Sequence, residues 1–226
     1  MALGIAKAAI MGAAANQSAP FDPYTYVSPT FLTTLDCTLS NGNRTAALSS
    51  SVDFSHAYSA GQTLSGRVYV EFKLNTSATF WHYGWTKFTG SGLSNDIWGI
   101  YNNQPGAPAL VLSYGPPGVQ SPGSIPQNTT FLDSNGNPIG VLVADDILSL
   151  AINVDSGTAW IGVNGEWYDD GGPRNDTLPL ATEIVPGDVT GILPRFGNSN
   201  GVTGGGGTGT ILTEGEAQFF NGGDLF

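Results

Sequence analysis

The sequence predicts an all-β protein of antiparallel strands, and three observations carry that prediction. Several runs alternate apolar and polar residues with the two-residue period of a half-buried strand. Turn dipeptides, among them Asn41-Gly42 and Asn164-Gly165, stand between such runs. No stretch of the body shows the 3.6-residue apolar period of a helix. Without helical crossovers, purely antiparallel pairing is expected. Short strands with regular turns give a two-layer sandwich or a barrel. The 226 residues suffice for one large β domain.

The elements follow in order. Residues 1–20, "MALGIAKAAIMGAAANQSAP", are Ala-rich, mildly apolar and outside the β pattern. The "AAA" before Asn16 resembles a signal-peptide cleavage site, but Lys7 interrupts the apolar run instead of preceding it. The run is also shorter than the roughly 20 apolar residues that span a bilayer. Leu3, Ile5, Ile10 and Met11 are therefore expected to anchor the chain on a partner subunit, with docking on its own domain as the alternative. Pro20, Pro23 and Pro29 mark an extended arm. The expected division is an anchor and arm over 1–30 and a β domain over 31–226.

"FLTTLDCTLSNGNRTAAL" holds the first hairpin, turning at Asn41-Gly42. In "SGRVYVEFKLN", Val68, Val70, Phe72 and Leu74 take one face, and Arg67, Tyr69, Glu71 and Lys73 the other, as in a half-buried strand. "TFWHYGW", "DIWGIYN" and "ALVLSYG" are aromatic, β-prone runs. Residues 115–140 form a long Pro/Gly/Asn loop. "DILSLAINVDSGTAWIGVNGEW" then reads strand, turn, strand, turn, strand, with Leu148, Leu150, Ile152 and Val154 on one face. A Gly-rich loop at 197–210 precedes a last strand around "ILTEGEAQFF".

Composition excludes several function classes. Acids outnumber bases 18 to 7, for a formal net charge of −11, and the bases are scattered. Nucleic acid and anionic membranes both need clustered Lys and Arg, so neither is an expected partner. Cys37 is the only cysteine, so no intrachain disulfide forms, and it reads as a small hydrophobe beside a strand. Of the two histidines, His82 lies between aromatics and reads as structural, and His56 reads as a surface-loop residue. No G-x-S-x-G elbow supports a nucleophile. Glu214 and Glu216 would share a face of a strand, but the third acid of a glucanase-type run is absent, and Asp145-Asp146 and Asp169-Asp170 are adjacent pairs that face opposite ways. "DSNGN" at 133–137 reads as an Asx turn in place of a calcium loop, so no metal is expected. Aromatic and amide residues gather at expected strand ends: Tyr101, Asn102, Asn103, Tyr114, Trp167, Tyr168 and Arg174. Such residues form adaptable binding loops, and flat aromatics beside amides suit sugar rings. Trp85 and Trp160 read as core.

The chain also resembles a known family. Asp146, Ile147, Leu148, Asp155, Gly157, Trp160, Asn164 and Gly165 follow the late core pattern of the SPRY (B30.2-like) domain. "LSGRVYVEFKLN", "HYGWTKF", "ILPRFGNS" and "GTILTEGEAQFF" are similar to its other strands and fall in its order. "LDCTLSNGNRTAALSSS" is similar to the lead-in of SPRY-like domains on phage and prophage structural proteins. The resemblance covers about residues 31–220 and departs from the family at 115–140, at Glu214-Gly215 and at the 204–209 insertion. It implies a bent, concanavalin-A-like sandwich of two antiparallel sheets that binds ligands through loops at one end, without catalysis and without a cofactor.

The expectation is thus a bacteriophage virion protein on the particle surface, anchored on other virion proteins by its N-terminal segment, with self-association compatible. Its sandwich would bind a host-surface glycan or protein. A decoration or cement protein without ligand and a secreted glycan-active enzyme are the alternatives.

Overall fold

The computed structural model describes residues 24–49, 55–59, 65–76, 81–89, 92–102, 110–114, 129–130, 132, 135–168, 173, 191–198, 206–221 and 224–225. The strands in chain order are β1 (Thr25–Tyr26), β2 (Thr33–Leu35), β3 (Cys37–Ser40), β4 (Thr45–Leu48), β5 (His56–Tyr58), β6 (Arg67–Thr76), β7 (Trp81–Thr89), β8 (Gly92–Asn102) and β9 (Leu110–Tyr114). They continue with β10 (Thr129–Thr130), β11 (Ile147–Asn153), β12 (Thr158–Val163), β13 (Glu166–Trp167), β14 (Gly191–Asn198), β15 (Gly207–Ile211), β16 (Phe220–Asn221) and β17 (Asp224–Leu225).

Two sheets face each other, so the fold is an all-β sandwich. The first sheet runs β13-β12-β11-β6-β15-β4-β3, with β1 also beside β6, and the second runs β10-β9-β8-β7-β14-β5-β2. The chain crosses between them at Asp36, between β2 and β3, where φ is +49°. Alternation sends Val68, Val70, Phe72, Leu74, Leu148, Leu150 and Ile152 inward from the first sheet. They meet Trp81, Tyr83, Trp85, Ile100 and Phe196 from the second. Phe72 stacks on Tyr83 at 4.1 Å between ring centroids.

The turns form as the sequence predicts. Asn41-Gly42 lies in the β3–β4 hairpin, and Asn164-Gly165 closes the β12–β13 hairpin with φ of +51° and +85° at its two residues. Asn164 also ties this hairpin to the start of β11. It accepts the Ile147 N–H and donates to Asp146 Oδ1, both at 2.9 Å.

Five expectations are corrected. The pairing is not wholly antiparallel: β1 runs parallel to β6, because β2–β5 supply the long connection that a parallel pair requires. Strand β6 is buried on both faces, with Tyr69 and Glu71 at 0% exposure, because further chain covers the outer face of the first sheet. His56 lies in β5 and is half-buried, not in a surface loop. The last long strand ends at Ile211, and the 197–210 loop gives up Gly207–Thr210 to β15. Glu214–Glu216 form a 3-10 turn in which Thr213 and Glu216 make a reciprocal capping box, so Glu214 and Glu216 do not share a strand face.

Candidate functional site

The outer face of the first sheet carries the candidate site. Its organiser is Glu71, at the middle of β6. One carboxyl oxygen accepts the Gln218 N–H at 2.7 Å, and the other accepts the Phe219 N–H at 2.8 Å and the Tyr69 hydroxyl at 2.9 Å. All three partners donate to the group, which accepts from each. Tyr69 also lies 2.9 Å from the Ser149 hydroxyl. Tyr26 accepts the Glu71 N–H at 3.2 Å and donates to the Leu212 carbonyl at 3.1 Å. Burial pushes both phenols above their ordinary range, which keeps them protonated as donors. This network straps residues 212–220 across the sheet.

The strap divides the face in two. On one side Tyr24, Tyr69, Ala151 and Trp160 form a second buried cluster, with Tyr26, Trp167 and Phe220 half-buried at its margin. Phe220 stacks on Tyr69 at 5.5 Å, and Trp167 meets the same ring edge-on at 6.3 Å. On the other side lies an open groove of about 500 Å³, lined by Lys73, Asn75, Asp145, Thr210, Leu212, Glu216 and Gln218. That volume falls in the range of small-ligand sites. Lys73 and Asn75 follow Glu71 at two-residue steps on β6 and so share its outward face. Pairing sets Thr210 beside Lys73, and the Asn75 side-chain amide donates to the Thr210 hydroxyl at 3.0 Å.

The charges of the groove are internally matched. Lys73 pairs with Asp145 at 2.6 Å, and Glu216 pairs with Arg44 at 2.6 Å. The Thr213 backbone and Arg44 hold the Glu216 carboxyl down at about 2. It is a permanent anion near neutral pH and has no proton to donate as a general acid. The Thr210 hydroxyl is engaged by Asn75 and by the Thr45 hydroxyl at 2.8 Å, so what remains for a ligand is a set of amide, ammonium and carboxylate groups on a surface of balanced charge. Among the described residues no three His, Cys, Asp or Glu gather as a metal site, and no helix is long and apolar enough to cross a membrane.

The residues singled out in the sequence do not converge on this groove. Trp167 reaches the margin of the aromatic cluster, but Tyr168 is 8% exposed and belongs to the main core, which removes it as a surface contact. Tyr101, Asn102 and Tyr114 lie in β8 and β9 of the second sheet. Asn103, Arg174, Leu3, Ile5, Ile10 and Met11 lie outside the described residues. Trp85 and Trp160 are buried, and His82 is 3% exposed. The groove residues Lys73, Asn75, Thr210 and Gln218 were not anticipated. The polar alternation of "RVYVEFKLN" held a signal for the first two, whereas the β15–β6 pairing and the strap had none.

No protein-family model matches the sequence, and no curated protein sequence matches it either. Among solved structures the chain is similar to the SPRY domain of human HERC1, at 11% identity and a TM-score of 0.45, with 80% of this chain and 94% of that one covered. It is also similar to the TRIM65 PSpry domain, at 12% identity and a TM-score of 0.44, with 84% and 94% covered. The likeness is one of fold, and it brings no ligand with it.

Proposed function

We propose that this chain is a binding protein without catalytic activity, whose sandwich holds a neutral, hydroxyl-rich ligand of the glycan class in the groove over β6 and β15. The groove itself carries the reading: amides and a hydroxyl from Asn75, Gln218 and Thr210 line it beside a charge-matched Lys73–Asp145 pair. A sugar presents vicinal hydroxyls that both donate and accept, and such a lining answers both. A phosphate or nucleic-acid ligand would call for an excess of cations that the lining lacks. A glycosidase would call for one carboxyl group that releases a proton near neutral pH, and Glu216 is held ionised.

The wider role in this proposal is adhesion on the surface of a bacteriophage particle. The similarity of "LDCTLSNGNRTAALSSS" to phage lead-ins supports it, with the segment around Leu3, Ile5, Ile10 and Met11 held by another virion protein. The purified full chain, probed on an array of bacterial surface glycans, is expected to retain a small set of them. Retention of none, with normal particle assembly, would favour the cement-protein alternative. Deleting residues 1–20 is expected to abolish incorporation into particles and leave a folded domain. Normal incorporation of the truncated chain refutes the anchor.

A further inference from the structure

The second sheet carries a cluster of basic side chains that the groove does not use. On β14, Gly197 lies directly opposite His82 of β7 on one side and His56 of β5 on the other. Arg195, two residues earlier on β14, lies opposite Tyr58 of β5 and Gly84 of β7. Phe196, Ala57, Trp81 and Tyr83 face the main core, so alternation turns Arg195, His82, His56 and Tyr58 to the outer face together. The His82 ring tip lies over Gly197: a Cβ there would come within 2.9 Å of His82 Nε2 and 3.0 Å of the His56 Cβ. The backbone register also sets Tyr101 of β8 opposite His82.

Two polar atoms of this cluster are buried without partners. His82 is 3% exposed and Arg195 is 9% exposed, and among the described residues neither His82 Nε2 nor Arg195 Nε has a hydrogen-bond partner. Burial lowers the Arg195 pKa to about 10, so the guanidinium remains charged near neutral pH. Burial and the Arg195 charge lower His56 to about 4, and burial, Arg195 and His56 push His82 well below its ordinary value. Among the described residues the opposing groups are two. Asp36, at the β2–β3 corner, favours the charged form of His56, and Tyr58 does the same for Arg195. A buried cation with an orphaned donor is unfavourable unless an acceptor arrives.

We propose that this patch binds an oxyanion, a carboxylate or sulfate group, between Arg195, His82 and His56. The planar guanidinium matches the two oxygens of such a group, and His82 Nε2 supplies a second donor once it is protonated. A neutral ligand would leave the guanidinium uncompensated. His56, which is half-buried, forms the accessible rim. The site lies on the sheet opposite the groove and is independent of it. The group can come from a free anion or be borne on a larger acidic ligand.

The chain has only two histidines, so their ring resonances report the site directly. The full chain is titrated with sodium sulfate, and separately with a methyl glucuronide, at constant ionic strength made up with chloride. Saturable shifts of both histidine rings are expected, and for each unit by which the anion raises a histidine pKa, binding at a pH below the free value is expected to be about tenfold tighter than binding at a pH above the raised one. Tighter binding of the glucuronide than of sulfate assigns the site to a group borne on a sugar, and the reverse assigns it to a free anion. Arg195→Gln is expected to abolish saturation. Should that variant not fold, His56→Gln is expected to weaken binding at low pH by about fivefold or more, as loss of one charged contact does. Shifts that do not saturate, that chloride reproduces, or that both variants retain in full overturn the proposal.

Discussion

Replacing Glu71 with Ala tests the strap. Its carboxyl group receives two backbone N–H groups of the strap and the Tyr69 hydroxyl, and it is fully buried. Each donor left unsatisfied costs about 1–3 kcal/mol. The strap is partly exposed, so two of the three donors can regain water when it lifts, which bounds the total at about 3 kcal/mol. For a chain of this size that corresponds to a fall in Tm of about 6–12 °C. Glu71→Gln should cost roughly half as much, since one amide oxygen still accepts while its NH₂ opposes the other donor. Urea denaturation supplies the magnitude, and hydrogen exchange supplies the location. The Gln218 and Phe219 amides should lose their protection well before those of β11 and β12. A change below about 0.5 kcal/mol in Glu71→Ala, with both amides still protected, would refute the strap as an energetic element.

Other perturbations follow from the same geometry. Gly209→Ala places a Cβ against the Phe72 ring, which is held between Tyr83 and Phe196, and should cost about 2 kcal/mol or more in urea denaturation. Asn164→Ala removes the bonds to Ile147 and Asp146 and a residue suited to positive φ, with an expected loss of about 1–2 kcal/mol. Both histidines are favoured neutral in the fold, so the unfolded chain binds more protons, and stability should fall as pH drops from about 6.5 toward 4. His56→Gln should flatten part of that fall. Glu216 is favoured ionised, so strap protection should be lost as pH falls from about 4 toward 2, a step that Glu216→Gln should remove.

Much of the fold was legible because it rests on local chemistry. The inward set Val68, Val70, Phe72 and Leu74 follows from period-2 alternation, and the Asn164-Gly165 turn follows from the positive φ that its two positions require. The outer face of β6 was not legible, because a strand looks half-buried until something covers it. That cover comes from Tyr24, Tyr26 and Phe220, which lie 40 or more residues away in sequence. The "ILTEGEAQFF" run misled because Thr213 and Glu216 close a capping box that ends the strand. The groove was hidden for the same reason. Asn75 and Thr210 come together only through a β15–β6 pairing that no local pattern encodes. Tyr168 looked like a loop aromatic because it follows a turn, yet its side chain enters the core.

In the proposed function, ligand enters the groove over β6 and β15. Isothermal titration of an array-retained glycan into the full chain and into the Asn75→Ala and Gln218→Ala variants tests it most directly. Each variant is expected to weaken binding by about tenfold, the loss of one to two hydrogen bonds, without a change in Tm beyond about 2 °C. Full affinity in both variants would contradict it and place the ligand elsewhere on the sandwich.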